Sequence, residues 1–427
     1  MNKEAGQHAR PSRRRWRGAA VAAAAVLLVG GGYATANAAT AKGASTKPAA
    51  ARPQVRGTGV AAVVNAANAF LATLSDDQKA QVLLDFSQAN ATNWSNLPEG
   101  IVTRVGIQLG TLDDEQLAAA KAVVKAATGT GKGTGFDQVT QILKADDILA
   151  AAEAGSTSSA TADPSVTATA DPTDSATAEP TDTATADPSA SASDAPTGTP
   201  PSGGPGGGGG LNYGSGIYFL SFLGTPSLTG TWQLHFGGHH LALNITFKDG
   251  KVTGSTPFFI GVEPTSFTTD GTTYQPLSAQ RDGMLKLLGS LTTAQQATAK
   301  LTESFGDVLL GPGQDGQFPT TKEGIAVSQL SPAQKKLVLA AMRPWVSMVD
   351  NATTRMLLTT YEKQLNQTFV AFSGGTGLDT QGDYVRIDGP GVWIEFICQN
   401  GIVFQSQIHF HTVYRDHTRD YGGEFTF

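Results

Sequence analysis

Four times along the chain a leucine is followed by a short polar side chain and, three residues later, by glutamine. The four are Leu74-Ser75 with Gln78, Leu112-Asp113 with Gln116, Leu291-Thr292 with Gln295, and Leu330-Ser331 with Gln334. Each sets a cap oxygen before the first helical turn, a glutamine that reaches back to the cap amide, and leucine at the staple position; Pro332 adds a favoured first helical residue. Behind the caps apolar residues recur at helical spacing, as with Val82, Leu83 and Phe86, or Leu337, Val338 and Ala341. Four helices are therefore predicted to begin at these boxes, and Asn351 to Phe369 reads as another. The repeated box points to related helical pairs in two parts of the chain, not to a solenoid.

From Tyr213 onward the period changes. Gly216 to Leu223 is apolar and aromatic, and Trp232 to Phe247 alternates before turning at Asp249-Gly250 into Lys251 to Thr256. Three runs close the chain, Asp383 to Asp388, Gly391 to Gln399 and Ile402 to Tyr414, the last two joined by Asn400-Gly401. They predict an antiparallel meander. Strands flank a helical block at 278–370, so the expected fold class is α+β: an antiparallel sheet with a C-terminal meander packed against capped amphipathic helices.

Composition changes this picture at two places. The chain has 427 residues, 40% hydrophobic and 15% charged, with 50 Gly and one Cys. Between 161 and 188 the tetrapeptide Thr-Ala-Asp/Glu-Pro recurs every eight residues, from Thr161, Thr169, Thr177 and Thr185, and a Gly206 to Gly210 run follows. Without large apolar side chains to offset ordering entropy, 154–210 reads as a disordered acidic spacer. The second place is the N-terminus, where Arg10 and Arg13 to Arg17 precede an apolar run from Ala19 to Val29 and an Ala36-Asn37-Ala38 site. Residues 1–38 are expected to be a signal peptide, 39–59 a flexible segment, and the protein secreted or held in the cell envelope. Ser12 to Trp16 also resembles a twin-arginine signal. The charge-free stretch from Gly18 to Ala41 makes a membrane association expected only if the leader stays uncleaved.

Without its leader the chain carries 24 basic and 35 acidic residues, a net of −11, and no basic block. No nucleic-acid partner is expected. Cys398 has no second cysteine to pair with, so packing must supply the stability. There is no Walker loop, dinucleotide fingerprint or G-x-S-x-G elbow.

Candidate chemistry gathers in the histidines. Apart from His8, all lie in two windows: His235, His239 and His240 in LHFGGHHLALN, and His409, His411 and His417 in IHFHTVYRDHTRD. His409 and His411, two apart on a predicted strand, point to one face, as two imidazoles on one ion require. His239 and His240 should point to opposite faces unless the preceding glycines form a bulge. A Zn, Cu or Fe site using His239, His240, His409 and His411 stands beside two other readings, a metal-free polar pocket and purely structural histidines. His235 and His417 are left out of that set.

The turn after the second C-terminal run decides which face Glu395 takes. A two-residue Asn400-Gly401 loop puts it away from the histidines and a three-residue loop puts it beside them. Glu395 is then a ligand or general base, or a buried partner for Arg386. Asp416 is a second candidate for moving a proton. Arg415, Asp420 and Tyr421 are candidates for holding the histidines from behind, although Arg and Asp here also fit a salt-bridged terminal loop. Glu263, in GVEP, is a further carboxylate candidate, against the reading of an ordinary loop residue.

The phrases GHHLALN (238–244), TPFFIGVEP (256–264), YVRIDGPGVWIEF (384–396) and HFHTVYRDHTRDYG (409–422), with NWSNLP (93–98), resemble the bacterial exported proteins of the domain of unknown function family 3500. Its pattern includes His239, His240, His409, His411, Arg415, Asp416, Asp420 and Tyr421. The resemblance implies one domain built from 60–153 and 211–427, with the spacer as an insertion, and it implies no activity. Two functions follow from the side chains. One is an exported metal-dependent hydrolase or oxidase acting on a small molecule. The other is a non-catalytic module binding an envelope component, with structural histidines.

Overall fold

The computed structural model describes residues 59–159 and 212–427. The predicted leader and nearly all of the spacer lie outside them. The first helices are α1 (Val60–Thr73), α2 (Asp76–Val82), α3 (Gln88–Ala91), α4 (Asp114–Ala127) and α5 (Gly135–Ser159), with short strands β1 (Leu83–Leu84) and β2 (Ile107–Gln108) among them. Strands β3 (Phe219–Leu223), β4 (Thr231–Gly237), β5 (Leu241–Lys248), β6 (Lys251–Gly254) and β7 (Phe258–Val262) follow, then a small hairpin, β8 (Phe267–Thr269) and β9 (Thr272–Tyr274). The order then repeats: α6 (Ser278–Gly289), α7 (Thr293–Ala299), β10 (Ile325–Ala326), α8 (Pro332–Val346), α9 (Asn351–Gln364), β11 (Phe369–Ser373), β12 (Tyr384–Asp388), β13 (Trp393–Asn400) and β14 (Ile408–Arg415).

All four capping boxes form as the sequence predicts, each with both reciprocal hydrogen bonds. Their glutamines also join the helices in pairs. Gln78 and Gln116 exchange side-chain hydrogen bonds, and Gln116 also donates to the Thr73 carbonyl; Gln295 and Gln334 exchange them likewise, with Gln334 donating to Ser290. The same motif thus closes both helical sets, as an internal duplication would leave it.

The main sheet runs β1-β3-β4-β5-β7-β14-β13-β12-β11-β10, with β2 on β3 and β6 on β5, and is antiparallel except for β1 on β3. The halves meet at β7 and β14, where Phe258 faces Tyr414. This is the expected α+β fold. Because the chain returns to the centre of one sheet from both halves, residues far apart in sequence end on adjacent strands.

The two faces differ in cover. Leu234, Phe236, Leu243, Ile260, Phe396 and Tyr414 pack on helix residues such as Phe70, Val123, Ile142, Met284, Met342 and Trp345. On the other face Ala242, Phe259, Tyr384, Trp393, Ile397 and Val413 pack under loops carrying Trp94, Leu301, Val308 and Leu310. The loop-covered face also bears the polar side chains that must find partners there, among them His235, Asn244, Arg386, Glu395, His411 and Arg415, all buried.

Three elements depart from the sequence pattern. The alternating run 232–247 is two strands, because Gly237 and Gly238 let the chain reverse: Gly237 pairs with Ala242, and Gly238 N–H donates to Leu241. The helix from Asn351 stops at Gln364, and a single 3-10 turn leads into β11. Helix α5 runs to Ser159, past the point where the acidic spacer was expected to start.

Candidate functional site

His239 and His240 occupy the two turn positions between β4 and β5. Neither obeys strand alternation, so both rings reach one pocket, with centroids 3.8 Å apart. The expected split to opposite faces does not occur, because the strand begins only at Leu241. His240 Nδ1 donates to Asp146 Oδ1 at 2.6 Å, and Tyr218 Oη donates to Asp146 Oδ2 at 2.6 Å. Asp146, His239 and His240 are all buried, with ligand-type atoms within 4.8 Å of one another, a group that could hold a metal ion.

The second window arrives on β14, which the central β7 strand links to the first. His411 lies opposite Gly261, whose N–H in turn donates to the His240 carbonyl. The His240 centroid is 6.3 Å from His409 and 5.9 Å from His411, and those two are 4.7 Å apart. Imidazoles separated by some 170 positions therefore lie side by side. Gly261 makes the room: a Cβ there would lie 2.8 Å from His240 Cδ2 and 2.9 Å from His411 Cδ2.

Hydrogen bonding fixes the rings' tautomers. His409 Nδ1 meets the Asn400 carbonyl at 2.6 Å, and His411 Nδ1 meets Asp307 Oδ1 at 2.9 Å. These oxygens only accept, so each Nδ1 carries a hydrogen and Nε2 is the ring atom left to meet a ligand. The two Nε2 atoms face each other at 3.2 Å. His240 has the same arrangement, and its Nε2, like His239 Nδ1, has no hydrogen-bond partner among the described residues. Burial first, then the neighbouring imidazoles, holds His239 and His409 well below the ordinary histidine value, which keeps these rings neutral. Asp307, whose side chain is 41% exposed, marks the side facing solvent, and Asn96 Nδ2 donates to its Oδ2 at 2.9 Å.

The remaining candidates sit elsewhere. The loop between β13 and β14 spans 401–407, so neither short turn forms, and Glu395 pairs with Val413 in the register. It shares the histidines' face but turns to the cover: it accepts from Leu309 N, Leu310 N, Trp393 Nε1 and Tyr384 Oη. Arg386 pairs with Glu323, not with Glu395. Asp416 leaves β14 on the helix side and accepts from Tyr361, Thr418 and Arg419. Arg415, roughly 13 Å along the strand from His411, binds Asp315 and Asp420. Tyr421 donates to Asp315 and accepts from Trp94. Arg415, Asp420 and Tyr421 bind the chain end to the covering loop at Asp315, Asp416 binds it to α9 through Tyr361, and none of the four bonds to the imidazoles. His417 stacks on Phe318.

His235 lies on the same sheet face, its Nε2 3.0 Å from the Asn93 carbonyl. Burial lowers its pKa to about 4, against the hydrogen bond to the Asn93 carbonyl. A histidine held below its unfolded value stabilises the fold above that value, and this contribution is lost as pH falls from about 6.5 to about 4. The thermal midpoint of the wild type should fall more steeply over that window than that of His235→Gln, by a difference worth on the order of 3 kcal/mol. Parallel curves would sink the assignment.

Sequence reasoning missed Asp146 and Asp307. Asp146 had a signal: with Ile142, Leu143 and Leu149 it lies on the buried stripe of α5, where an acid needs a partner. Asp307 had none, since it is one acid in a long loop.

An α+β scaffold with a buried carboxylate-histidine cluster between helices and covering loops is the class that fold and site define. The family described as "Protein of unknown function (DUF3500)" matches residues 56–423, and the chain belongs to that family. No curated protein and no solved structure matches the chain.

Proposed function

We propose that the protein binds a late first-row transition metal through the Nε2 atoms of His409 and His411, with His240 and His239 closing the pocket. The observation that carries this is the 3.2 Å separation of the two Nε2 atoms, on rings whose Nδ1 atoms each face an acceptor. Two nitrogens at ~2.0–2.1 Å from one tetrahedral ion lie about 3.3 Å apart, the spacing at which these two Nε2 atoms stand. The outer partners support the same reading, since ligating imidazoles characteristically donate their other N–H to a carboxylate or carbonyl. Asp146 accepts on both oxygens, so we assign it to orienting His240 and not to the ion. Nitrogen donors without a free carboxylate favour zinc or copper over magnesium or calcium.

At such an ion the activity would be that of a hydrolase or oxidase on a small polar molecule entering past Asp307, in a protein exported by its leader. The burial of all four rings, none more than 6% exposed, favours a second reading: a non-catalytic envelope module with a structural site. Metal analysis of the full chain after exposure to zinc and to copper tests the proposal. Stoichiometric metal that is lost in a folded His409→Ala, His411→Ala double variant is the expected result. A wild type that retains neither metal overturns it.

A further inference from the structure

Two buried carboxylates stand behind the histidine pair, each holding the loop that presents one histidine's acceptor. Glu395 accepts from Leu309 N at 2.6 Å and Leu310 N at 2.9 Å, just after Asp307, the acceptor for His411. Glu263 accepts from Ile402 N at 3.1 Å, Val403 N at 2.9 Å and Phe404 N at 2.7 Å, just after Asn400, the acceptor for His409. Both are fully buried. We infer that Glu263 and Glu395 are positioning residues for the proposed metal site, Glu263 acting on His409 and Glu395 on His411.

The chemistry requires a carboxylate in both places. Successive backbone N–H groups pointing inward are all donors, and a carboxyl group offers two oxygens to receive them. Glutamine has the same shape but presents an NH2 where an acceptor is needed, so one end of each cradle must open. The loops belong to different parts of the chain, and neither carboxylate touches the other's loop. Each should therefore govern its own histidine.

The inference rests on the metal reading only for its affinity arm. Glu263→Gln and Glu395→Gln are compared by ring 15N NMR without metal, and by cobalt(II) affinity in competition with a chelator. In Glu263→Gln, His409 should lose its single Nδ1–H tautomer while His411 keeps it, and in Glu395→Gln the reverse should hold. Cobalt affinity should fall 10- to 100-fold in both. Tautomer changes of this crossed pattern in a protein that binds no cobalt would keep the positioning role and remove the metal reading. Unchanged rings, or both rings disturbed alike in both variants, would overturn the positioning role. If a glutamine variant fails to fold, Glu263→Asp and Glu395→Asp keep the charge on a shorter arm and should give the same crossed pattern.

Discussion

Arg415→Leu should destabilise the protein by about 3–5 kcal/mol, the largest loss expected from a single substitution. Arg415 is fully buried. Its Nη1 donates to Asp315 at 2.9 Å and Asp420 at 3.0 Å, Nε to the Leu310 carbonyl at 2.8 Å, and Nη2 to the Gly311 carbonyl at 3.0 Å. The guanidinium also lies 5.4 Å from the Trp94 ring centroid. Leucine takes the cation away from two largely buried acids, which keep only Tyr421 and the Asp416 amide as donors, and from two carbonyls, and losing the charged partner of such groups costs far more than a surface ion pair contributes. Arg415→Lys should recover only part of the loss, because one ammonium cannot span four acceptors in the fork geometry. Chemical denaturation measures both; a loss below 1 kcal/mol in Arg415→Leu would show that the covering loops do not depend on this residue.

Gly261→Ala should act in the opposite way, with a large effect on metal binding and a moderate one on stability. Its new Cβ would stand 2.8 Å from His240 Cδ2 and 2.9 Å from His411 Cδ2, closer than carbon atoms approach. Those carbons adjoin the Nε2 atoms, and both rings are tied at Nδ1, so they can yield only by tilting away from the pocket. The overpacking costs ~1–3 kcal/mol, while metal affinity should fall at least as far as in loss of an outer partner, on the order of 100-fold. Zinc titration against a chromogenic chelator decides it. Wild-type affinity in a folded Gly261→Ala protein would mean that the ion, if bound, sits away from the gap between His240 and His411.

Much of this was written in the chain, and what was not has specific causes. The capping boxes named four helix starts because a cap and its glutamine lie three residues apart, and local hydrogen bonds need no tertiary partner. His409 and His411 could be placed on one face because strand geometry alternates with period two. Glu395 cannot be placed from sequence, since its relation to the histidines depends on the length of a loop that Asn400-Gly401 predicts to be two or three residues long. The actual loop runs to Gln407, with the Glu263 carboxylate holding its backbone. Likewise His239 and His240 looked like strand residues until the glycines before them placed both in a turn.

By itself the sequence determined the α+β class, the helix starts, the meander and the two histidine windows, because each is set by side chains within a few residues of one another. Only the tertiary structure decided that the windows share a pocket, that Asp146 and Asp307 face it, and that Arg415, Asp416 and Asp420 do not. Those outcomes depend on β7 pairing with β14, and on loops whose course is fixed by buried carboxylates and an arginine contributed from distant parts of the chain. A local pattern carries no record of such partners.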